Sequence, residues 1–472
     1  MSTHSCEPLA DDAATAAIVG EIDNAISSGL GKRAFLELVD SRQPQLFEVL
    51  GRVYPRQAYA KLLTLKILNL LVSKYHFLNR HSGVASRPFQ LMLDPANSCQ
   101  LRCPGCIHTE NPQLRQHYSW PAGLMDLDTY LEFMKVYGPT AFGVVFYNWG
   151  EPLLNKKTPE MVRFAKRYYL HTCISTNLAL PIDADALVES GLNFLFISID
   201  GATQSTYEKF RRRGKLDICL ENIRKIVEAK QRLGRNVPYL LWRFLTFEHS
   251  VHEIDLVLET AEELGVDQVS VLTPGAVDWD DPEVQVVRSP RAGRYRLRPN
   301  APFKDHLDQY DSCEDIDVEV DQIFSQTWID RGRASGSLDE SANPGIETCE
   351  WLYQSLTLDS SGRIMTCCLA PEHGRHQIYG EFPSDRDAFN TNDYQLSRLA
   401  FSDRAAFEHE LDQDDDVRSP FCAECEETPA LTYSLSEDVR RDLGFLDCRD
   451  ALSPETIAKV TDWPRSRIGD RG

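Results

Sequence analysis

The chain has 472 residues, 42% of them hydrophobic, and a formal net charge of −21. That length leaves room for two or three domains at roughly 150 residues each. The acidic surplus argues against nucleic acid and anionic membrane as partners, because both are met by a basic face. No apolar run reaches the ~18 residues that a membrane span requires, and the first residues, Met1-Ser2-Thr3-His4, lack the charged and apolar regions of a signal peptide. No membrane span and a cytoplasmic location are therefore expected. In that setting 13 cysteines read as metal ligands rather than disulfides.

Residues 1–82 read as a helical region. Residues 13–28 and 32–50 show helical periodicity, the second with a break expected at Pro44. Residues 58–74 form a strongly apolar helix, interrupted by lysines and too short to span a bilayer. It is expected to pack against the following domain or a second subunit; a membrane-surface role is the alternative.

From residue 88 strands alternate with helices. The expected strands are 89–93, 143–147, 171–175, 194–199, 239–246 and 268–272, with helices at 126–137, 159–168, 183–190, 217–233 and 253–264. Such βα repetition over 83–275 implies an α/β fold with a parallel sheet and helices outside it. Sites in such folds gather at the C-terminal ends of the strands. Residues 276–345 are rich in turn residues and read as a lid or a linker.

The chemistry concentrates after the first strand, in the run Cys99-Gln-Leu-Arg-Cys103-Pro-Gly-Cys106. Three thiolates on one short loop can hold three corners of a cubic 4Fe–4S cluster and leave the fourth iron open. Further along come Asn148-Trp149-Gly150-Glu151-Pro152 at the end of the second strand and Ser175-Thr176-Asn177 at the end of the third. The fourth gives Ser198-Ile-Asp-Gly201, followed by Arg211-Arg212-Arg213-Gly214.

In this order the motifs resemble those of the radical S-adenosylmethionine superfamily. The resemblance implies a partial (β/α)6 barrel in which Cys99, Cys103 and Cys106 ligate the cluster. S-adenosylmethionine then chelates the open iron and is cleaved to a 5′-deoxyadenosyl radical. It also implies that Gly150, Glu151 and Pro152 meet the methionyl ammonium, and that Ser175 and Asn177 meet the ribose. Ser198 and Arg213 are placed at the methionyl carboxylate. One departure is Gly105, where the family usually has an aromatic residue.

Residues 346–430 carry the second cysteine set: Cys349, Cys367 and Cys368, then Cys422-Ala-Glu-Cys425. Between Cys349 and Cys367 the sequence reads as a hairpin turning at Asp359-Ser-Ser-Gly362, which brings its two ends together. Four thiolates from two such pieces make either a zinc site or a fully ligated iron–sulfur cluster. The pattern resembles a small SPASM/twitch domain in its single-cluster form, which implies a second 4Fe–4S cluster on Cys349, Cys367, Cys422 and Cys425, with Cys368 as an alternative to Cys367. Residues 431–472 read as a tail. Cys6, Cys313 and Cys448 have no partner motif.

A fully ligated auxiliary cluster has no open iron and serves as an electron acceptor. The resemblance therefore points to an oxidoreductase similar to 2-deoxy-scyllo-inosamine dehydrogenase, acting on a small sugar- or cyclitol-like substrate. Its expected partner is an external reductant such as flavodoxin or ferredoxin. Arg243 and Glu248, at the end of the fifth strand, are positioned to handle the substrate hydroxyl. The alternatives are a peptide-modifying maturase, whose relatives often carry a winged-helix N-terminal domain with strands, and a non-catalytic iron–sulfur or zinc scaffold.

Overall fold

The structure, a computed structural model, describes residues 12–54, 56–119, 121–275, 281–298, 314–336, 338, 348–369, 371–413, 418–425 and 454–461. Cys6, Cys313 and Cys448 lie outside them, as does most of the expected tail.

Three helices open the described chain: α1 (Asp12–Ile26), α2 (Lys32–Val53) and α3 (Gln57–Asn79). Pro44 does not break α2, contrary to expectation. Phe35, Leu36 and Val39 before it and Leu46, Val49 and Leu50 after it bury one continuous face, and that packing outweighs the lost backbone hydrogen bond. Helix α3 is buried on nearly all sides, as a helix apolar all round must be. Its lysines are satisfied inside: Lys66 Nζ donates to the Tyr168 carbonyl at 2.7 Å and Lys74 pairs with Asp23 at 2.7 Å. The helix thus packs against the domain that follows.

The chain continues through β1 (Gln90–Leu93), α4 (Pro112–Gln116), α5 (Leu127–Tyr137), β2 (Gly143–Val145), α6 (Thr158–Lys166), β3 (His171–Thr176), α7 (Ala184–Glu189) and β4 (Phe194–Ser198). Then come α8 (Gln204–Phe210), α9 (Leu216–Arg232), β5 (Tyr239–Leu245), α10 (Ile254–Leu264) and β6 (Gln268–Leu272). Strands β1 to β6 lie side by side in chain order, all parallel. Asp126 caps α5 by accepting from Thr129 N, and Asp183 caps α7 by accepting from Ala186 N, both at 3.0 Å.

The sheet is covered on both faces, which is why its strands read as near-continuous apolar runs. Leu91, Val144, Ile174, Leu195, Leu240 and Trp242 join the main core under the helices. The alternating residues Met92, Val145, Cys173, Phe194, Phe196, Tyr239 and Leu241 form a separate inner cluster.

Residues 276–345 hold more regular structure than their composition shows. Strand β7 (Gly293–Arg296) pairs antiparallel with β6. Helices α11 (Glu314–Ser325) and α12 (Trp328–Ala334) pack on α3 and α2. Trp328 Nε1 donates to Gln43 Oε1 at 3.0 Å.

After the short helix α13 (Trp351–Gln354), the expected hairpin forms as β8 (Ser355–Leu358) and β9 (Arg363–Met365), with β10 (Ile378–Glu381) beside it. It does not stand apart from the barrel. Strand β8 pairs in parallel with β1, so one ten-stranded sheet runs β10-β9-β8-β1-β2-β3-β4-β5-β6-β7. Helices α14 (Asn392–Ser402), α15 (Arg404–Gln413) and α16 (Pro454–Thr461) complete the described chain, with α16 against α1.

Arg398 of α14 fastens this region. It is fully buried among Tyr353, Phe389 and Tyr394. It donates to the Leu352 carbonyl at 2.7 and 2.9 Å and to the Ser82 carbonyl at 2.9 Å. Hydrogen bonds from a charged donor are worth about 1.5–3 kcal/mol each. Arg398→Met is therefore expected to lower the melting temperature by several degrees, measured by thermal denaturation. An unchanged melting temperature would show that this anchor is dispensable.

Candidate active site

The loop after β1 gathers the first thiol set. Cys99, Cys103 and Cys106 pack together with Leu101, Phe210 and Phe247. Burial pushes all three thiols up, Cys106 to about 11, and each has another of the set beside it or a carboxylate opposing its charge. Donors are aimed at two of them: Asn177 Nδ2 lies 3.6 Å from Cys99 Sγ and Arg211 Nη1 3.9 Å from Cys103 Sγ. Thiolates at such buried positions need positive charge beside them, and cationic iron supplies it, so the donor set fits a cluster. Gly105 sits at φ 71°, a left-handed conformation that glycine adopts without strain. That turn explains the departure from an aromatic residue there.

The end of β2 is pressed against this loop. A Cβ on Gly150 would lie 1.5 Å from the Ala96 carbonyl oxygen. Glu151 N donates to Ser98 O at 2.8 Å. The buried carboxylate of Asp94 accepts from the backbone N–H groups of Asn148 (2.9 Å), Trp149 (3.2 Å) and Gly150 (3.4 Å). Burial raises its pKa to about 7 against those hydrogen bonds.

Glu151 is buried, and its carboxylate accepts from Thr176 Oγ1 at 2.7 Å, Asn177 N at 2.8 Å and Leu153 N at 3.1 Å. Its oxygens thus tie the end of β2 to the end of β3. Gly150 and Glu151 are the residues of this motif that press on the cysteine loop. Pro152 opens a short 3-10 turn after them. Asn177 Oδ1 accepts from Gln100 Nε2 at 2.7 Å, so this residue serves the cysteine loop. Ser175 is half-buried near the end of β3.

Ser198, Arg243 and Ser270 are direct cross-strand neighbours on β4, β5 and β6. The Arg243 guanidinium lies 3.7 Å from the centre of the Phe196 ring on the inner face. Glu248 is exposed on the loop after β5.

Arg213, placed at the methionyl carboxylate by the resemblance, turns outward in the structure. It lies at φ 68° and its side chain pairs with Glu110 at 2.6 Å on the surface. The guanidinium that reaches inward is Arg211, paired with the fully buried Asp200 at 2.6 Å. Burial works against that charge, but Asp200 and Cys103 together hold its pKa above the ordinary arginine value. Sequence reasoning also missed Asp94, Gln100 and His108. His108 Nε2 lies 3.1 Å from Trp149 O, and burial lowers its pKa to about 4. It lines a cavity of about 200 Å³ beside Cys99, with Asn97, Arg102 and Tyr118.

The second thiol set comes from the ends of the hairpin and the turn at Phe421–Glu424. Cys349 and Cys422 are both pushed up to about 12, first by burial. Cys349 has Cys422 and Cys367 beside it, and Cys422 has Cys367 and Cys425. The backbone carbonyl of Cys368 accepts from Trp149 Nε1 at 2.8 Å. Among the described residues, no three His, Cys, Asp or Glu side chains close in as tightly as the ligands of one metal ion.

Comparison with known proteins agrees with this geometry. The segment 93–257 matches the model of the Radical SAM superfamily. Over 170 residues, 35% of the chain, it is 27% identical to Fe-coproporphyrin III synthase of Methanosarcina barkeri, covering 39% of that protein. The chain spans less than half the length of the curated relatives it matches. Among solved structures, Streptococcus suis SuiB is similar over 71% of this chain and 72% of its own, at 14% identity and a TM-score of 0.44. BtrN in complex with AdoMet and 2-DOIA is similar over 74% of this chain and 96% of its own, at 12% identity and a TM-score of 0.35. The cysteine loop, the clamped strand end behind it and the family match identify residues 93–257 as a radical SAM domain.

Proposed function

We propose that this radical SAM enzyme is an oxidoreductase acting on a small hydroxylated substrate, with an auxiliary cluster on Cys349, Cys367, Cys422 and Cys425. The observation that carries the reading is the placing of two thiol sets around neighbouring strands of one sheet, β1 and β8. When bound, the first cluster and S-adenosylmethionine supply a hydrogen-abstracting radical, and the second cluster an electron acceptor.

The protein's own residues do the positioning. Backbone carbonyls at Gly150–Glu151 receive an ammonium, and Ser198 offers a hydroxyl beside it. Arg243, its guanidinium 3.7 Å from the centre of the Phe196 ring, serves as a donor to a substrate oxygen rather than as a base. Glu248, exposed beyond it, takes the hydroxyl proton toward solvent. An external reductant such as flavodoxin or ferredoxin completes the cycle. Residues 12–79 hold three helices, with no strand among the described residues there, which favours this reading over a peptide maturase with a winged-helix domain.

Anaerobically reconstituted protein should hold about eight irons and eight sulfides, from two 4Fe–4S clusters. Replacing Cys99, Cys103 and Cys106 with alanine should halve both numbers and abolish S-adenosylmethionine cleavage. Stoichiometric zinc in freshly purified anaerobic protein would instead overturn the auxiliary-cluster assignment.

The auxiliary set is tested by changing Cys422 and Cys425 to alanine. The folded variant should still release 5′-deoxyadenosine with a strong reductant, yet accumulate it with substrate without matching oxidised product. Circular dichroism and iron content establish that the fold and first cluster survive. Oxidised product at the wild-type ratio would refute the electron-acceptor role.

The two arginines give a third test. Arg211→Met should lower the iron content retained by the first site, because it removes the charge beside Cys103. Arg213→Ala should leave it unchanged, since exposed pairs contribute about 1 kcal/mol or less. Equal effects of the two variants would contradict the placement of Arg211.

A further inference from the structure

At the opposite end of β1 from the cysteine loop lies a second cavity, of about 520 Å³. Ser86 and Arg87 line it just before β1, Lys135 from the last turn of α5, Arg331 from α12 and Arg386 from the loop before α14. In a chain of net charge −21, four cations around one cavity stand against the overall field.

Arg331 is only 6% exposed, and its Nη1 has no hydrogen-bond partner. Its other nitrogens make long contacts of 3.4 Å, to Gln326 Oε1 and Ile323 O, and its guanidinium rests on the Trp328 ring. Ser86 is 1% exposed, and its hydroxyl is also unpartnered. Buried polar groups of native proteins are ordinarily paired.

The nearby carboxylates are already engaged. Asp40 accepts from the N–H groups of Trp328 and Ile329 at the start of α12. Glu132 holds Lys135 at 3.1 Å and Arg386 at 3.5 Å, and Asp387 accepts from Asn390 Nδ2. Burial, with Arg87 nearby, pulls the pKa of Arg331 down to about 9. Asp40 and Asp387 offset that only in part, so the positive charge of Arg331 is incompletely compensated in the protein alone.

We propose that this cavity is a binding site for a phosphate-bearing small molecule, with Arg331 and Ser86 as its buried donors and Arg87, Lys135 and Arg386 around it. A doubly charged, multiply accepting phosphate suits three guanidiniums, an ammonium and a hydroxyl. The volume is within the ~300–1,000 Å³ range of small-molecule sites. The site lies at the far end of β1 from the cysteine loop, and it is separate from the oxidation proposed above.

The test uses the full-length reconstituted protein and inorganic phosphate as probe, with chloride at matched ionic strength as control, read by calorimetry and thermal denaturation. Wild type should show saturable phosphate binding and a raised melting temperature. Arg331→Met keeps the contact with Trp328 but removes the charge. It should weaken phosphate binding about tenfold to a hundredfold, while melting in chloride no lower than wild type. No saturable response in wild type, or an equal response in Arg331→Met, would overturn the proposal. Should Arg331→Met not fold, the rim variant Lys135→Gln/Arg386→Gln decides: a severalfold weaker response supports the site, and an unchanged response refutes it.

Discussion

The site depends on the contact between Gly150 and the Ala96 carbonyl, where a Cβ would approach to 1.5 Å. That closeness joins the cysteine loop and the end of β2 into one body. Asp94 reinforces it by collecting three successive N–H groups of the β2 end, and Glu151 extends it to β3 through Thr176 and Asn177. Three strand ends are thus held in register by two buried carboxylates and one missing side chain. The thiols inherit their positions from that frame, as a site built on rigid elements should.

The alternation of six strands and their helices was legible because each strand carries an apolar run and two of the helices, α5 and α7, begin at an Asp cap. Residues 239–246 and β5, or 268–272 and β6, differ by one residue at most. Long-range pairing was not legible. Nothing within 355–358 says that its neighbour is β1, because strand periodicity encodes a buried face and not a partner. Likewise β7 hides in a turn-rich stretch, since Gly293–Arg296 is short and at the edge of the sheet.

In the site, the cysteines and Gly-Glu-Pro could be read from spacing, but the arginine triplet could not be resolved. Which of three consecutive arginines turns inward is set by the end of α8 and by the left-handed backbone at Arg213. Glu151 is the subtler case. Its presence was legible, but its use as a cross-strand acceptor was not, because that depends on where the end of β3 lies. The buried cations show the same limit: Lys66 and Arg398 look like surface residues in sequence, yet each finds carbonyl acceptors inside.

The pairing of β8 with β1 has a consequence for biosynthesis. Gln90 is partnered by Ser355 and Leu93 by Leu358, so one edge of the parallel sheet stays open on the ribosome until more than half the remaining chain has been made. An uncovered strand edge is a template for the wrong neighbour, and slow non-local closure lengthens that exposure. A chain ending before residue 355 would therefore leave that edge of β1 uncovered, a template for aggregation rather than a smaller working barrel.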